Sequence, residues 1–166
     1  MKNRSEIETE FLAILEKNMG SLVKVVNVYA YHLQDKEDLM NDIIFELWRS
    51  FPKFRGDSKI STWLFRVALN VSLKSKRKGG NGITFVEDIR TVDNKGIFET
   101  YDDRAADIER MYECISGLNS INKAIILLYL ENKSNEEIAS IVGISRTNVS
   151  TRLGRIREEL KNKMNQ

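Results

Sequence analysis

The sequence contains very little cysteine, histidine or proline. Its 166 residues include one cysteine (Cys114), one histidine (His32) and one proline (Pro52). A single cysteine excludes an intrachain disulfide and a cysteine-rich metal site. A single histidine excludes a histidine cluster for a metal and any catalytic unit that needs two imidazoles. We therefore expect no metal, no cofactor and no enzymatic activity.

Long apolar runs are also missing. No run approaches the ~20 residues that a membrane-spanning helix needs. The first ten residues are charged and lack the apolar core of a signal peptide. Hydrophobic residues make up 42% and charged residues 30% of the chain, which is typical of a globular protein. These features predict a soluble, cytoplasmic protein with no membrane insertion.

The scarcity of proline, with abundant Leu, Ile, Glu, Lys and Asn, predicts an all-α protein. The apolar spacing predicts helices over residues 5–18, 22–33, 35–51 and 61–76, and more helices from residue 105 onward. Ser5 and Glu8 have the spacing of a capping box, and Gly20 with Ser21 predicts a break between the first two helices.

The composition changes after residue 78. Three glycines follow at positions 79, 80 and 82, and residues 84–113 contain nine acids and four bases, a net charge of −5. Most of this stretch lacks helical periodicity. We therefore expect two small helical domains, residues 1–78 and 105–166, joined by an acidic flexible linker at residues 79–104.

The strongest local signal is a helix-turn-helix pattern in the second domain. Ala139, Gly143 and Val149 have the spacing in which a small residue lets two helices cross, glycine forms the turn and a branched residue fixes the second helix. Ser145 is a suitable N-cap for that second helix.

The second helix of this motif is amphipathic. A rotation of about 100° per residue places an apolar face opposite a face of hydrogen-bond donors. The apolar face holds Val149, Leu153, Ile156 and Leu160, while Thr147, Thr151 and Arg155 lie opposite and Asn148 and Arg152 on the flank. Residues 145–163 carry a net charge of +4, with six bases and two acids. Donor side chains of this kind suit a DNA major groove, a reading favoured over an ordinary solvated helix in a bundle.

The helix predicted at 35–51 has an acidic stripe. Asp35, Asp38, Asp42 and Glu46 share an arc of about 80°, next to an apolar arc of Leu39, Ile43 and Leu47. Such a stripe suits a basic protein partner, to which it would give steering and register. An ordinary solvated face explains the same pattern equally well.

The following segment is strongly basic. Residues 49–78 hold nine bases and one acid, a net charge of +8. Trp63, Arg66, Asn70, Lys74 and Arg77 share one arc of the helix at 61–76 and its end. Cations and an aromatic ring on one face suit unpaired nucleic acid, by phosphate attraction and base stacking. For Trp63 alone, a role as a core anchor is favoured instead.

Together these patterns resemble the bacterial RNA polymerase sigma factors of the extracytoplasmic-function group, which contain only regions two and four. Region two is resembled by Glu37-Asp38-Leu39, Asn41-Asp42, Leu47-Trp48-Arg49, Phe54-Arg55-Gly56, Ser58, Ser61-Thr62-Trp63-Leu64 and Ala68-Leu69-Asn70. Region four is resembled by Leu118, Leu127, Glu131, Ser134, Glu137-Ile138-Ala139, Gly143-Ile144-Ser145, Val149 and Arg152-Leu153. The resemblance covers residues 5–78 and 107–163.

The resemblance implies a role for each surface. The acidic helix would bind the β′ clamp of core RNA polymerase through Asp35, Glu37, Asp38, Asn41, Asp42 and Glu46. The minus-ten promoter element would be read and melted by Lys59, Ser61, Thr62, Trp63, Arg66, Asn70, Lys74 and Arg77. The minus-thirty-five element would be read by Ser145, Arg146, Thr147, Asn148, Thr151, Arg152 and Arg155.

The implied function is that of an alternative sigma factor, which directs core polymerase to specific promoters and helps to open the duplex. The implied partners are the β′ clamp and β flap of the polymerase, promoter DNA and an anti-sigma factor. Two other readings are a stand-alone helix-turn-helix regulator and an all-helical protein-interaction module. The regulator leaves the acidic stripe and the basic helix unexplained.

The chain departs from the family pattern at four places. Many members have Leu-Pro where this chain has Leu118-Asn119, and glycine where it has Asn132. The usual lysine after the valine of the recognition helix is Ser150, and Asn41 stands where glutamine is common.

Overall fold

The computed structural model describes residues 3–77 and 105–166, with the side chains of residues 76 and 77 left out. The described part contains seven α-helices, one 3-10 helix and no strand. The α-helices are α1 (Arg4–Tyr29), α2 (Leu33–Ser50), α3 (Ile60–Arg77), α4 (Ala105–Ser116), α5 (Ser120–Leu130), α6 (Asn135–Val142) and α7 (Arg146–Met164), and the 3-10 helix spans Phe51–Lys53. The all-α prediction is confirmed. The linker predicted at residues 79–104 lies outside the described residues.

α1 is one helix of 26 residues, so the predicted break at Gly20 and Ser21 was wrong. A glycine inside a helix costs about 1 kcal/mol relative to alanine. Burial of Leu22, Val25 and Val26 one turn later offsets that cost, since full burial of a valine or leucine contributes roughly 1.5–3 kcal/mol. Tertiary packing therefore keeps α1 continuous across Gly20.

The N-terminus of α1 also differs from the prediction. The Asn3 side chain accepts a hydrogen bond from the Glu6 backbone N–H at 2.8 Å, and the Glu6 carboxylate accepts one from the Asn3 N–H at 3.0 Å. The capping box thus lies two residues before the predicted one at Ser5 and Glu8. Asparagine serves as well as serine at this position.

α2 and α3 pack on each other and on α1 around one core. The apolar arc predicted for α2 is buried, with Ile43 and Leu47 fully enclosed. α2 begins at Leu33, two residues before the predicted start at residue 35, so Asp35 lies in its first turn. The buried face of α3 includes Leu64, Phe65 and Ala68.

α5 lies at the centre of the four C-terminal helices, and its six residues 123–128 are all buried. α6 begins with a capping box between Ser134 and Glu137. It ends at Gly143, whose φ of 79° lies in the left-handed region that favours glycine. The helix-turn-helix is therefore α6, the turn at Gly143 and α7, as the sequence predicted.

The N-terminal helices contact the C-terminal ones, since α1 touches α4 and α5 and α3 touches α6. Throughout the described ranges, none of the helices combines the length and the apolar character that crossing a membrane requires.

Candidate polymerase and promoter surfaces

The acidic stripe of α2 lies at the surface. Asp35, Asp38 and Asp42 are exposed and Glu46 is half-buried, while the neighbouring apolar arc faces the core. Asp38 accepts a hydrogen bond from Gln34 at 3.1 Å, and Glu46 pairs with Arg49 at 2.8 Å. The predicted division of α2 into an acidic face and a core face is confirmed.

Phe45 adds an aromatic side chain to this surface. It is 47% exposed and, by its helical angle, projects beside Asp38 and away from the apolar arc. Exposed aromatics are frequent energetic centres of protein interfaces. The signal available in the sequence was its position off the apolar arc. The sequence analysis did not include Phe45 among the candidate site residues. Glu37 and Asn41 are half-buried at the margin of the face.

The start of α3 places its candidates in different environments. Lys59 is exposed and Ser61 is half-buried, but Thr62 is 8% exposed and faces the interior. Further along α3, Arg66 is half-buried and Asn70 and Lys74 are exposed. Arg77 ends the helix, and its side chain lies outside the described residues.

Trp63 belongs to an aromatic cluster. Its ring lies 5.2 Å from that of Phe54 and 6.2 Å from that of Phe51, measured between ring centroids. Phe51 in turn contacts Phe11 on α1 at 5.5 Å. These contacts hold the loop before α3 against α1 and match the core-anchor reading. The half-buried indole still has surface area beside Arg66 for a second role.

The recognition helix α7 has the predicted orientation. Val149, Leu153 and Ile156 are buried, whereas Thr147, Thr151 and Arg155 are exposed on the opposite side. Ser145 caps the helix by accepting a hydrogen bond from the Asn148 backbone N–H at 3.1 Å. Arg146 is exposed and donates to Glu136 at 3.3 Å.

Arg152 is held by its own domain. Its Nε donates to the Asn148 side chain at 3.0 Å, and its Nη1 donates to the side chain of Asn122 on α5, also at 3.0 Å. The guanidinium therefore ties the first turns of α7 to α5. Asn122 lies thirty positions away in the sequence, so no local pattern could have identified it.

We expect Arg152→Ala to lower both folding stability and promoter binding, whereas Arg155→Ala lowers binding alone. Loss of the partly buried hydrogen bond to Asn122 and the exposed one to Asn148 should cost roughly 1–2 kcal/mol in the free energy of unfolding. Arg152→Lys should restore little, because an ammonium cannot reproduce the two-armed geometry. Urea denaturation of the three variants measures the difference. Equal stability of Arg152→Ala and Arg155→Ala would contradict a stabilising role of Arg152 between α7 and α5.

Three departures from the family pattern have local explanations. Asn119 caps α5 by accepting a hydrogen bond from the Asn122 N–H at 3.0 Å. Asn132 has φ 58°, a conformation that glycine adopts freely and asparagine tolerates best among the rest. Ser150 accepts a hydrogen bond from Asn135 at 2.9 Å, which joins the two helices of the motif.

Among the described residues, no three His, Cys, Asp or Glu side chains gather as a metal site requires.

Comparisons with known proteins agree with this architecture. The family model for sigma-70 region 2 matches residues 14–81, and that for sigma-70 region 4 matches residues 108–160. The RNA polymerase sigma factor YlaC of Bacillus subtilis is 28% identical over 172 residues, which cover 99% of this chain and 95% of the relative. The ECF RNA polymerase sigma-E factor of Haemophilus influenzae is 28% identical over 148 residues, 78% of this chain and 75% of the relative.

Two solved structures share the fold. The sigma factor RpoE in complex with the anti-sigma factor NepR, from Bartonella quintana, has a TM-score of 0.71 and 20% identity, covering 95% of this chain and 96% of its own. CnrH in complex with the cytosolic domain of CnrY has a TM-score of 0.66 and 19% identity, covering 95% of this chain and 89% of its own.

The chain carries, in this order, a helix with an acidic face, a helix with a basic face and a helix-turn-helix. This combination defines a subunit that recognises promoters together with a polymerase. The chain belongs to the sigma-70 family, as a sigma factor of the extracytoplasmic-function group with regions two and four. It is a transcription initiation factor that binds core RNA polymerase and directs it to promoter DNA.

Proposed function

We propose that three surfaces divide the work of initiation. The acidic face of α2, with Phe45 at its edge, binds the β′ clamp of core polymerase. The start and exposed face of α3 read and melt the minus-ten element. The exposed face of α7 reads the minus-thirty-five element, while the β flap binds the same C-terminal domain. The two domains are residues 1–78 and 105–166, with residues 79–104 as the linker.

The segregation of charge is the observation that supports this division. Carboxylates cover the exposed side of α2, where they would repel DNA phosphates and attract a basic protein surface. Exposed cations and amides lie instead on α3 and α7, where they suit phosphates and base edges. A stand-alone DNA-binding regulator would have no use for the acidic face.

The same reasoning extends to regulation and location. We infer that the protein has no catalytic activity of its own, works in the cytoplasm beside the polymerase, and is sequestered by an anti-sigma factor. One of the two solved neighbours is a sigma factor in complex with an anti-sigma factor, which supports this inference by analogy of fold.

Reconstitution with core polymerase tests the proposed function. The protein is mixed with core enzyme and a promoter library, and transcript starts are mapped. We expect core association and transcripts that begin at a shared promoter class. Absence of both would refute the proposal, and duplex binding without core association would indicate the stand-alone regulator.

A further inference from the structure

Three polar side chains, here called the amide network, connect the surface of the recognition helix α7 to α5. The Arg152 guanidinium donates from Nε to the side-chain oxygen of Asn148, and from Nη1 to the side-chain oxygen of Asn122, each at 3.0 Å. Asn122 and Arg152 are half-buried, whereas Asn148 is exposed. The network therefore runs from a helix in the domain core to a side chain on the candidate DNA-binding surface.

The start of α5 fixes the inner end of the amide network. The Asn119 side chain accepts a hydrogen bond from the Asn122 backbone N–H at 3.0 Å, so the helix cap sets the position of Asn122. The residues that follow, 123–128, are all buried and hold α5 in the core of the domain. Asn122 thus binds Arg152 from a rigid element.

The chemistry of arginine determines which way round the Asn148 amide is held. A guanidinium has five N–H donors and no acceptor, so the atom of Asn148 that meets Arg152 must be the carbonyl oxygen. The oxygen and the NH2 group of an amide lie on different sides of its central carbon. Because the oxygen is bound to Arg152, the NH2 group of Asn148 is directed away from Arg152.

The helical angles place that NH2 group on the side of α7 that faces away from the core. At about 100° per residue, Arg152 lies between Asn148 and the apolar face, whereas Arg155 lies about 20° beyond Asn148 on the other side. Asn148 is also the third residue of α7. The first residues of a recognition helix are the ones that contact base edges, so Asn148 is placed to read a base.

We propose that the amide network sets the base preference of Asn148 by leaving it only donors to offer to a base edge. This proposal rests on the proposed function, in which α7 reads the minus-thirty-five element. A free asparagine pairs with adenine, because its oxygen accepts from N6 while its nitrogen donates to N7. With the oxygen bound to Arg152, the NH2 group matches guanine instead, since guanine N7 and O6 are both acceptors. Asn122 acts through Arg152 and is a positioning residue.

The same geometry disfavours adenine. Its N6 amino group is a donor in the major groove, so it would meet the NH2 group of Asn148 donor to donor. A donor that loses water without gaining an acceptor weakens binding. At the base pair that Asn148 meets, the wild type should prefer guanine over adenine by about five- to tenfold, the lower end of what a good base contact gives.

Selection from a duplex library with a randomised upstream element tests the proposal. The holoenzyme and, in parallel, the full-length protein alone at low salt are incubated with the library, and the bound sequences are counted. Asn148→Ala identifies the base pair that Asn148 reads, because the preference at that position should disappear. At that position the wild type should select guanine over adenine.

Two substitutions of Asn122 separate the amide network from the helix that carries it. Leucine has a similar volume but no acceptor, so Asn122→Leu releases Arg152 and lets the Asn148 amide turn. The preference for guanine over adenine should then fall to about twofold or less. Asn122→Asp keeps an acceptor in the same place and should keep the guanine preference. Both variants retain the backbone N–H that Asn119 caps, so helix content by circular dichroism should not change.

A second measurement follows the amide network without DNA. In nuclear magnetic resonance spectra of the full-length protein, the Arg152 Nε–H should exchange slowly with water in the wild type and in Asn122→Asp. In Asn148→Ala and Asn122→Leu it should exchange as fast as the Nε–H of the exposed Arg155. This readout reports the hydrogen bonds themselves and needs neither polymerase nor promoter.

The outcomes distinguish this proposal from the proposed function. Selection of adenine at the Asn148 position by the wild type, or an unchanged preference in Asn122→Leu, would refute the role of the amide network in specificity. Rapid exchange of the Arg152 Nε–H in the wild type would refute the network itself. If the wild type enriches no upstream sequence in either form, the proposed function of α7 is wrong and this proposal fails with it.

Discussion

Replacing Asp38 and Asp42 together by arginine is expected to abolish the binding of this protein to core RNA polymerase. Both carboxylates lie on the exposed face of α2, and the proposed partner is a basic clamp surface. Placing like charges opposite each other across an interface costs several kcal/mol. Affinity should fall by a hundredfold or more, since each 1.4 kcal/mol is about tenfold.

The same double change should leave the fold intact. The buried residues of α2 are Leu39, Met40, Ile43 and Leu47, and none of them is touched. Surface substitutions of this kind usually change stability by no more than about 0.5 kcal/mol. Helix content and the urea midpoint measure this, and binding to core polymerase is measured by fluorescence anisotropy.

A matched control lies on α4. Glu109 and Glu113 are exposed and separated by four residues, which is the spacing of Asp38 and Asp42. Replacing both by arginine changes the net charge equally but leaves α2 untouched, so core binding should persist. If both double variants bind core polymerase equally well, the acidic face of α2 is not the docking surface.

The faces of α2 and α7 could be predicted from sequence because helical periodicity determines them. A spacing of four residues places Leu39, Ile43 and Leu47 on one face of any helix, independently of the rest of the chain. The turn at Gly143 was equally readable, since a left-handed residue after a short helix is most easily glycine. Such features depend on local backbone geometry, so they can be predicted from neighbouring residues in the sequence.

The continuity of α1 could not be predicted in the same way. Gly20 and Ser21 favour a break locally, and the helix persists because Leu22 and the valines after it are buried against other helices. Contacts of Glu131 with Ser21 and Lys24 connect residues more than a hundred positions apart. No short window of sequence contains both partners, so these contacts become visible only in three dimensions.

The near-neutral net charge of +2 also has a structural meaning. An acidic face, two basic surfaces and the carboxylates Glu131 and Glu137 cancel in the sum while remaining separate in space. The Glu137 carboxylate lies 3.6 Å from the Lys59 ammonium, so part of this cancellation occurs by direct pairing. A low net charge therefore does not argue against a nucleic-acid partner, because separate surfaces of opposite sign keep their own local fields.

Promoter recognition and promoter opening should be separable by substitution. Arg155→Ala or Thr151→Ala on α7 should weaken binding to duplex DNA that carries the upstream element. A lost bidentate arginine contact costs about 1–3 kcal/mol, or roughly 5- to 150-fold in affinity. Asn70→Ala on α3 should leave that binding unchanged and reduce the fraction of open complex. Filter binding measures the first step, and permanganate reactivity of unpaired thymines measures the second.

Two controls make the comparison specific. Arg157 lies on the same helix as Arg155, but its guanidinium stacks over the Tyr129 ring at 5.1 Å within its own domain. Arg157→Ala removes the same charge and should cost a little stability, about 0.5–1 kcal/mol, with only a small loss of promoter binding. Ser75→Ala is the equivalent control on the exposed side of α3. Because the proposed division assigns α3 and α7 to different parts of the promoter, each variant should fail at its own step. Equal loss at both steps for Arg155→Ala and Asn70→Ala would refute the division between the two helices.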